Sequence, residues 1–320
     1  MEGKIYHTQR RGPQKKVNRS FEEQPTSLRK EQRRKNTLEL FMPIRLIGID
    51  IDGTLLDSSF KIPDANLRAI ARAVERGIEV ALVTGRRFDF ALPVAKQIDS
   101  ALTMIVNNGA LVKSKQGDTF LRTLLGRDIA RNILEDTLDQ RNTTTVLFDR
   151  PRGNQIMFEA LDWEHPSRKG YWERNREFIG EVTPLESCLV EDPIQVMFTG
   201  GVALMREIAT RLDNLEYREK FSVALTEYES RDFSLVDVLH ADVTKGKTLE
   251  RWAKRQGYLY ESIMAIGDNL NDREMLEYVG LPVVMGNAVQ ELKQKGWAVT
   301  GSNDEAGVAM AIERYALGQD

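Results

Sequence analysis

The chain has 320 residues, long enough for one large domain or two. Its apolar content of 41% and charged content of 29% are those of an ordinary globular protein, and no apolar run approaches the roughly 18 residues of a membrane span. A single cysteine, Cys188, excludes an intrachain disulfide and a zinc cluster built on cysteines, which fits a reducing cytoplasm.

The net charge of −3 conceals an asymmetry. Residues 1–42 carry 11 Lys/Arg and 5 Asp/Glu (+6), whereas 43–320 carry 34 basic and 43 acidic residues (−9). The first 42 residues lack apolar periodicity, so a disordered basic extension is expected there. It has no apolar stretch like a secretory signal. It is read as an upstream extension or a misassigned start in preference to a nucleic-acid-binding arm.

The first ordered element is the run Leu46–Ile49, which leads into Asp50-Ile51-Asp52-Gly53-Thr54. A short continuous apolar run reads as a strand buried on both faces, as in a parallel sheet. Aspartate is a poor strand residue, so Asp50 and Asp52 belong where the strand ends. Ligands of open α/β sheets bind at that edge. Two carboxylates there repel unless a cation neutralises them, and Mg²⁺ is the first choice for such hard donors. An aspartate is also a possible nucleophile. A solvated Asp-x-Asp-Gly turn or calcium loop is the alternative. It fits less well, because position 54 is Thr, position 56 is Leu, and no Glu stands at the twelfth place.

Pro63-Asp64 opens a helical pattern, with Leu67, Ile70, Ala71 and Val74 on one face and Gly77 as its stop. Ile78–Val83 is a second buried strand, ending in Thr84-Gly85-Arg86. A third unit ends with Met104–Val106 and Asn107-Asn108-Gly109. This β-α-β-α-β rhythm predicts a doubly wound parallel sheet. Over about 124–236 the pattern changes. Strand-like runs (143–148, 155–158, 194–199, 221–226) alternate with amphipathic helices near 128–140 and 202–212, the composition of an inserted α+β domain. Lys245 then opens a helix to about Gln256. Ser262–Ile266 is a further buried strand, ending in Gly267-Asp268-Asn269-Leu270-Asn271-Asp272.

A parallel sheet brings these strand ends to one edge, and Lys245 reaches it from a helix start. Carboxylates, a hydroxyl, an amide and an ammonium make a set suited to phosphoryl transfer. Taken singly, Thr84 reads as a helix N-cap, Lys245 as a solvated residue and Asp268 as a turn aspartate. Their recurrence at successive strand ends argues against coincidence.

The segments Asp50-x-Asp52-Gly-Thr, Thr84-Gly-Arg, Lys245-Gly and Gly267-Asp268-x-x-Asn271-Asp272 resemble the four motifs of the haloacid dehalogenase superfamily. The insert between the second and third motifs resembles that of Cof-type phosphatases, which carry a large α/β cap (class IIB). Asn108-Gly109-Ala110 and the stretch from Val283 to Ala309 are similar too. One departure is Ala306, where an acidic residue usually precedes the glycine. The resemblance implies a Rossmann-like core at 43–123 and 237–320 and a cap at 124–236. It implies a Mg²⁺-dependent phosphatase of small phosphorylated metabolites, sugar phosphates or similar, acting through an aspartyl-phosphate.

By the same resemblance Asp50 is the nucleophile and Asp52 the general acid and base, with its backbone carbonyl toward the metal. Asp50 and Asp268 hold Mg²⁺. Thr84, Lys245 and the amides of Ile51 and Gly85 bind phosphoryl oxygens. Asn271 orients phosphate or a metal-bound water, and Asp272 anchors the loop or stands behind the metal ligands. Arg86 and Asn108 are candidate substrate contacts, as are Trp163, Tyr171 and Trp172 in the insert. A sugar phosphomutase of the phosphomannomutase type and a non-catalytic binding protein are the competing readings. A monomer or homodimer in the cytoplasm, with no membrane partner, completes the expectation.

Overall fold

The structure, a computed structural model, describes residues 43–161, 173, 175–229 and 232–318. The expected basic extension and Trp163, Tyr171 and Trp172 lie outside the described residues. No helix among those described is long and apolar enough to cross a membrane.

In chain order the strands are β1 (Leu46–Ile49), β2 (Glu79–Val83), β3 (Thr103–Val106), β4 (Leu111–Ser114), β5 (Thr119–Arg122), β6 (Thr144–Leu147) and β7 (Ile156–Phe158). They continue as β8 (Ile179–Glu181), β9 (Gln195–Gly200), β10 (Phe221–Tyr228), β11 (Phe233–His240), β12 (Ile263–Gly267), β13 (Leu281–Val284) and β14 (Ala298–Val299). Among the described residues they form two sheets, ordered β14-β13-β12-β1-β2-β3-β4-β5 and β10-β11-β9-β6-β7-β8. The helices used below are α1 (Asp64–Glu75), α2 (Phe88–Ala95), α3 (Arg127–Asp136), α4 (Val202–Asp213) and α5 (Lys245–Gln256).

The first sheet is parallel from β14 to β3, as the sequence predicts. Leu46, Ile47 and Ile49 are fully buried, each contributing about 1.5–3 kcal/mol of transfer free energy before chain entropy is subtracted. The edge pair β4 and β5 is antiparallel, which the sequence reading did not anticipate. Only Asn107–Ala110 separates β3 from β4. So short a link cannot hold a crossover, and the chain must double back.

The second sheet is antiparallel except for the β7–β8 pair. Its apolar face, with Val146, Val196, Phe198, Val236 and Val238, packs with α3 and α4 residues into a core separate from that of the first sheet. α3 stops at Asp136 and continues as a 3₁₀ turn over Leu138–Thr143, so the helix expected to reach residue 140 is shorter. The expected domain boundary after residue 236 falls inside β11, and the second sheet runs on to His240.

The first sheet reverses strand order at β1. The chain moves from β1 to β2 on one side, while β12 and β13 lie on the other. The carboxyl end of β1 is therefore a topological switch point, where a crevice opens. Asp50 is the next residue.

Candidate active site

Asp50 leaves β1 with its amide donating to the Ile266 carbonyl of β12 (3.0 Å). The chain then coils tightly over Ile51–Leu55, with the Leu55 amide on the Asp50 carbonyl (3.2 Å). Gly53 takes φ +82. A Cβ there would lie 2.3 Å from Asp268 Oδ2, so only glycine lets this loop and the β12 loop close on each other. Thr54 Oγ1 donates across the same gap to Asp268 Oδ1 (3.0 Å).

Lys245 is the first residue of α5. Thr244 caps that helix, its Oγ1 accepting from the Lys247 amide (3.1 Å). The helix start is pinned by Gly109 at φ +107, whose missing Cβ would lie 2.6 Å from the Thr244 carbonyl. Lys245 Nζ donates to Asp50 Oδ1 and to Asp272 Oδ1, both at 2.6 Å. All three residues are buried, Lys245 to 2% exposure. The other oxygen of Asp272 accepts the amides of Asp268 (3.0 Å) and Asn269 (3.1 Å). Asp272 thus shapes the β12 loop with both oxygens engaged.

One ammonium faces three carboxylates. Oxygens of Asp50, Asp268 and Asp272 lie within 4.8 Å of one another. Burial, then repulsion from Asp272, pushes Asp50 up to about 7 despite Lys245. Burial and repulsion from Asp50 and Asp272 raise Asp268 well above the usual carboxylate range. Burial works against the Lys245 charge, but Asp272 and Asp50 outweigh it and hold the ammonium protonated. A buried, net-negative cluster of hard oxygens fits a divalent cation.

This excess of negative charge has a measurable consequence. A carboxylate whose pKa rises from 3.8 to about 7 on folding stabilises fully below pH 3.8 and loses that contribution as pH climbs through 7. With divalent cations chelated, the melting temperature should fall between pH 5 and pH 8 by several degrees, and added Mg²⁺ should restore it at the upper end. Melting curves at the two pH values check this.

Asp52 is engaged differently. Arg86 Nε donates to its Oδ2 (2.7 Å) and Arg86 Nη2 to its Oδ1 (2.6 Å), a bidentate fork. The Arg86 guanidinium also lies over the Phe90 ring, 4.7 Å from its centre. Arg86, expected to touch substrate, therefore lines the site while holding Asp52. Thr84 is buried at the end of β2, and its Oγ1 accepts the Arg86 amide (3.1 Å), so it does not cap α2. Gly85 lines the cavity above these groups, whereas Ile51 is wholly buried beneath it. Asn271 lines it too and donates to Asn108 Oδ1 (3.3 Å). Asn108, a second expected substrate contact, is itself buried and bonded to the second sheet.

The cavity measures about 930 Å³. Its floor is Asp50, Asp52, Thr84 and Lys245. Its walls include Phe60 and Phe90 from the first sheet's side, and Leu147, Met197 and Phe233 from the second's. Asp237 and Gln195 also line it. Neither was singled out from sequence, although an aspartate inside the apolar run Leu235-Val-Asp-Val-Leu was a visible signal of a buried polar role. Arg87 is likewise new. It follows Arg86, yet its guanidinium reaches Gln155 Oε1 (2.8 Å) and Asn175 Oδ1, and lies 4.0 Å from the Phe178 ring centre.

A model of the haloacid dehalogenase-like hydrolases matches residues 47–312. The chain is 27% identical over 283 residues to a pyridoxal phosphate phosphatase of Escherichia coli, covering 86% of this chain and 100% of that one. It is 28% identical over 297 residues to a 5-amino-6-(5-phospho-D-ribitylamino)uracil phosphatase of Bacillus subtilis, covering 86% and 99%. It is 30% identical over 291 residues to a stress response protein of the same organism, covering 86% and 94%. Among solved structures, a haloacid dehalogenase-like hydrolase from B. subtilis shares the fold, with a TM-score of 0.71 and 24% identity over 84% of this chain and 99% of that one.

Proposed function

The chain belongs to the haloacid dehalogenase-like hydrolases and is a phosphoric monoester hydrolase, and we propose that it works with Mg²⁺ through an aspartyl-phosphate on Asp50. The observation that carries this reading is the buried Asp50–Lys245–Asp272 bridge at the switch point, beside a carboxylate cluster in need of a cation. Asp50 and Asp268 would hold the ion, with Asp272 behind them. Bound there, Mg²⁺ offsets phosphate charge as a Lewis acid.

Asp50 Oδ attacks phosphorus, and the bond to the leaving oxygen breaks. Lys245, Thr84 and the Gly85 amide hold the phosphoryl oxygens during transfer. Asp52 gives its proton to the leaving oxygen. It then takes a proton from the water whose attack frees Asp50. Arg86 engages both Asp52 oxygens, so the fork has to open for Asp52 to meet the leaving oxygen. An entering phosphate dianion competes for Arg86 and so opens it. Asn271 orients the phosphate.

The six-stranded sheet serves as the lid that selects substrates. Its apolar surface and that of Phe60 and Phe90 suit a phosphoester with a ring-bearing organic part, in keeping with the names of the two phosphatase relatives. Thr145, Gln195, Thr226 and Asp232 stand among those apolar walls as polar groups for substituents on that ring.

Phosphate release from p-nitrophenyl phosphate, pyridoxal phosphate and a hexose 6-phosphate is the test. Release should need Mg²⁺, disappear on chelation and favour the ring-bearing ester over the hexose. Undiminished release after chelation would overturn the metal role. Phosphoryl migration within the hexose without release would identify a mutase.

A further inference from the structure

One polar contact between the two sheets beside the active site is a chain of amides that ends on one carboxylate. Asp237 of β11 is 4% exposed, and among the described residues it forms no ion pair. Its Oδ2 accepts Asn108 Nδ2 (2.8 Å) and its Oδ1 accepts Gln195 Nε2 (2.6 Å). Asn107 Nδ2 donates in turn to Gln195 Oε1 (3.2 Å). Burial without a cation pushes Asp237 up to about 7. Stability alone does not call for a carboxylate here, because an apolar pair would avoid that desolvation cost.

Asn108 connects this carboxylate to the phosphoryl site. Asn107 and Asn108 both take φ +51, a left-handed conformation that concentrates at functional sites. The Asn108 amide donates to the Thr84 carbonyl (3.0 Å), and its Oδ1 accepts Asn271 Nδ2 (3.3 Å). A Cβ on Gly85 would lie 3.1 Å from Asn108 Oδ1, so the side chain lies against the Thr84-Gly85 turn. An Asn side chain has two donors and one acceptor group at opposite ends of a plane. With its NH₂ drawn to Asp237, its oxygen has to face Asn271.

We propose that Asp237 is a positioning residue by which the lid sheet sets the phosphoryl site: it fixes the orientation of Asn108, and Asn108 fixes Asn271. The proposal rests on the reading above of Asn271 as a phosphate-orienting group. It gives the packing of the second sheet over the site a catalytic consequence beyond excluding water, since Asp237 of that sheet bonds Asn108 at the end of β3.

The test is a double-mutant cycle on the full chain with p-nitrophenyl phosphate and Mg²⁺, with melting temperatures recorded throughout. Asp237→Asn leaves one acceptor oxygen for two donors, Asn108 Nδ2 and Gln195 Nε2, and meets the other with an NH₂, so Asn108 is no longer held in one orientation. The expected result is a fall in kcat of about tenfold with KM changed less than about threefold. Asn271→Ala should do at least as much, and the double variant should be no slower than Asn271→Ala alone. A purely structural Asp237 would instead lower the melting temperature and leave kcat in place. That outcome, or losses that multiply in the double variant, overturns the proposal. Should Asp237→Asn fail to fold, Asn108→Gly supplies the same cycle with Asn271→Ala, since glycine suits φ +51 without strain. Asp50→Asn separates the two failures. Full activity in that variant refutes the aspartyl-phosphate route on which the role of Asn271 rests, whereas an inactive Asp50→Asn beside a normal Asp237→Asn refutes only the positioning role.

Discussion

Replacing Asp50 with asparagine is expected to remove turnover almost entirely, by about 10⁴-fold or more in kcat, while the chain stays folded. The asparagine would keep the shape of the side chain and one oxygen for Lys245, but an amide oxygen is a poor nucleophile toward phosphorus. Stability should not suffer, because Asp50 is itself a burden on the metal-free site. Burial and the neighbouring Asp272 push it up to about 7. Neutralising it removes one of three crowded carboxylates and leaves Lys245 paired with Asp272 at 2.6 Å. The metal-free variant should therefore melt at or above the wild-type temperature at pH 8, and Mg²⁺ should raise its melting temperature less, since one ligand is gone. The two readouts separate chemistry from folding. Near-normal rates under saturating Mg²⁺ would exclude the aspartyl-phosphate route.

The floor of this site was legible in the sequence because each of its residues sits at a strand end or helix start that local pattern marks. Leu46–Ile49 is apolar without interruption and stops at Asp50, and Thr244-Lys245 carries a cap and a helix start. Such signals depend on near neighbours in the chain. The walls were not legible. Asp237 reaches Asn108 across 129 positions, and Arg87 reaches Gln155 across 68, partnerships that tertiary packing creates and no periodicity records. Strand β11 was missed for a related reason. Ser234 and Asp237 interrupt its apolar run, and both are buried because hydrogen bonds satisfy them. Arg86 shows the limit of motif reasoning in another way. It was expected to touch substrate, but only geometry shows its fork closed on Asp52. Ala306 departs from the resembling family outside the chemistry. It stands in left-handed backbone at φ +57, beside the capping box of Ser302 and Glu305.

The second large effect is expected from Lys245→Met, which keeps most of the side chain's volume and deletes its charge. In the wild type that ammonium is 2% exposed and bonded to Asp50 and Asp272 at 2.6 Å each. Breaking a buried pair by removing one partner costs about 3–5 kcal/mol, because the remaining charge is left without compensation. For a chain of this size that corresponds to a melting-temperature loss on the order of 10 °C. Activity should fall as well, by about 10²-fold or more in kcat/KM, since a preorganised cation facing the phosphoryl oxygens is lost. The informative measurement is the response to metal. Lys245 and a divalent cation neutralise the same carboxylates, so their contributions are not independent. With the ammonium gone, Asp50, Asp268 and Asp272 face one another without that compensation once the pH is high enough to ionise them, and a cation entering the cluster there recovers more free energy than in the wild type. Mg²⁺ should therefore raise the melting temperature of Lys245→Met by more degrees than it raises that of the wild type, without restoring turnover. Ca²⁺ should stabilise the variant in the same sense, because the effect is one of charge. Equal metal-induced shifts in the two proteins would mean that Lys245 and the cation do not share ligands, and the placement of the metal at Asp50 and Asp268 would be wrong.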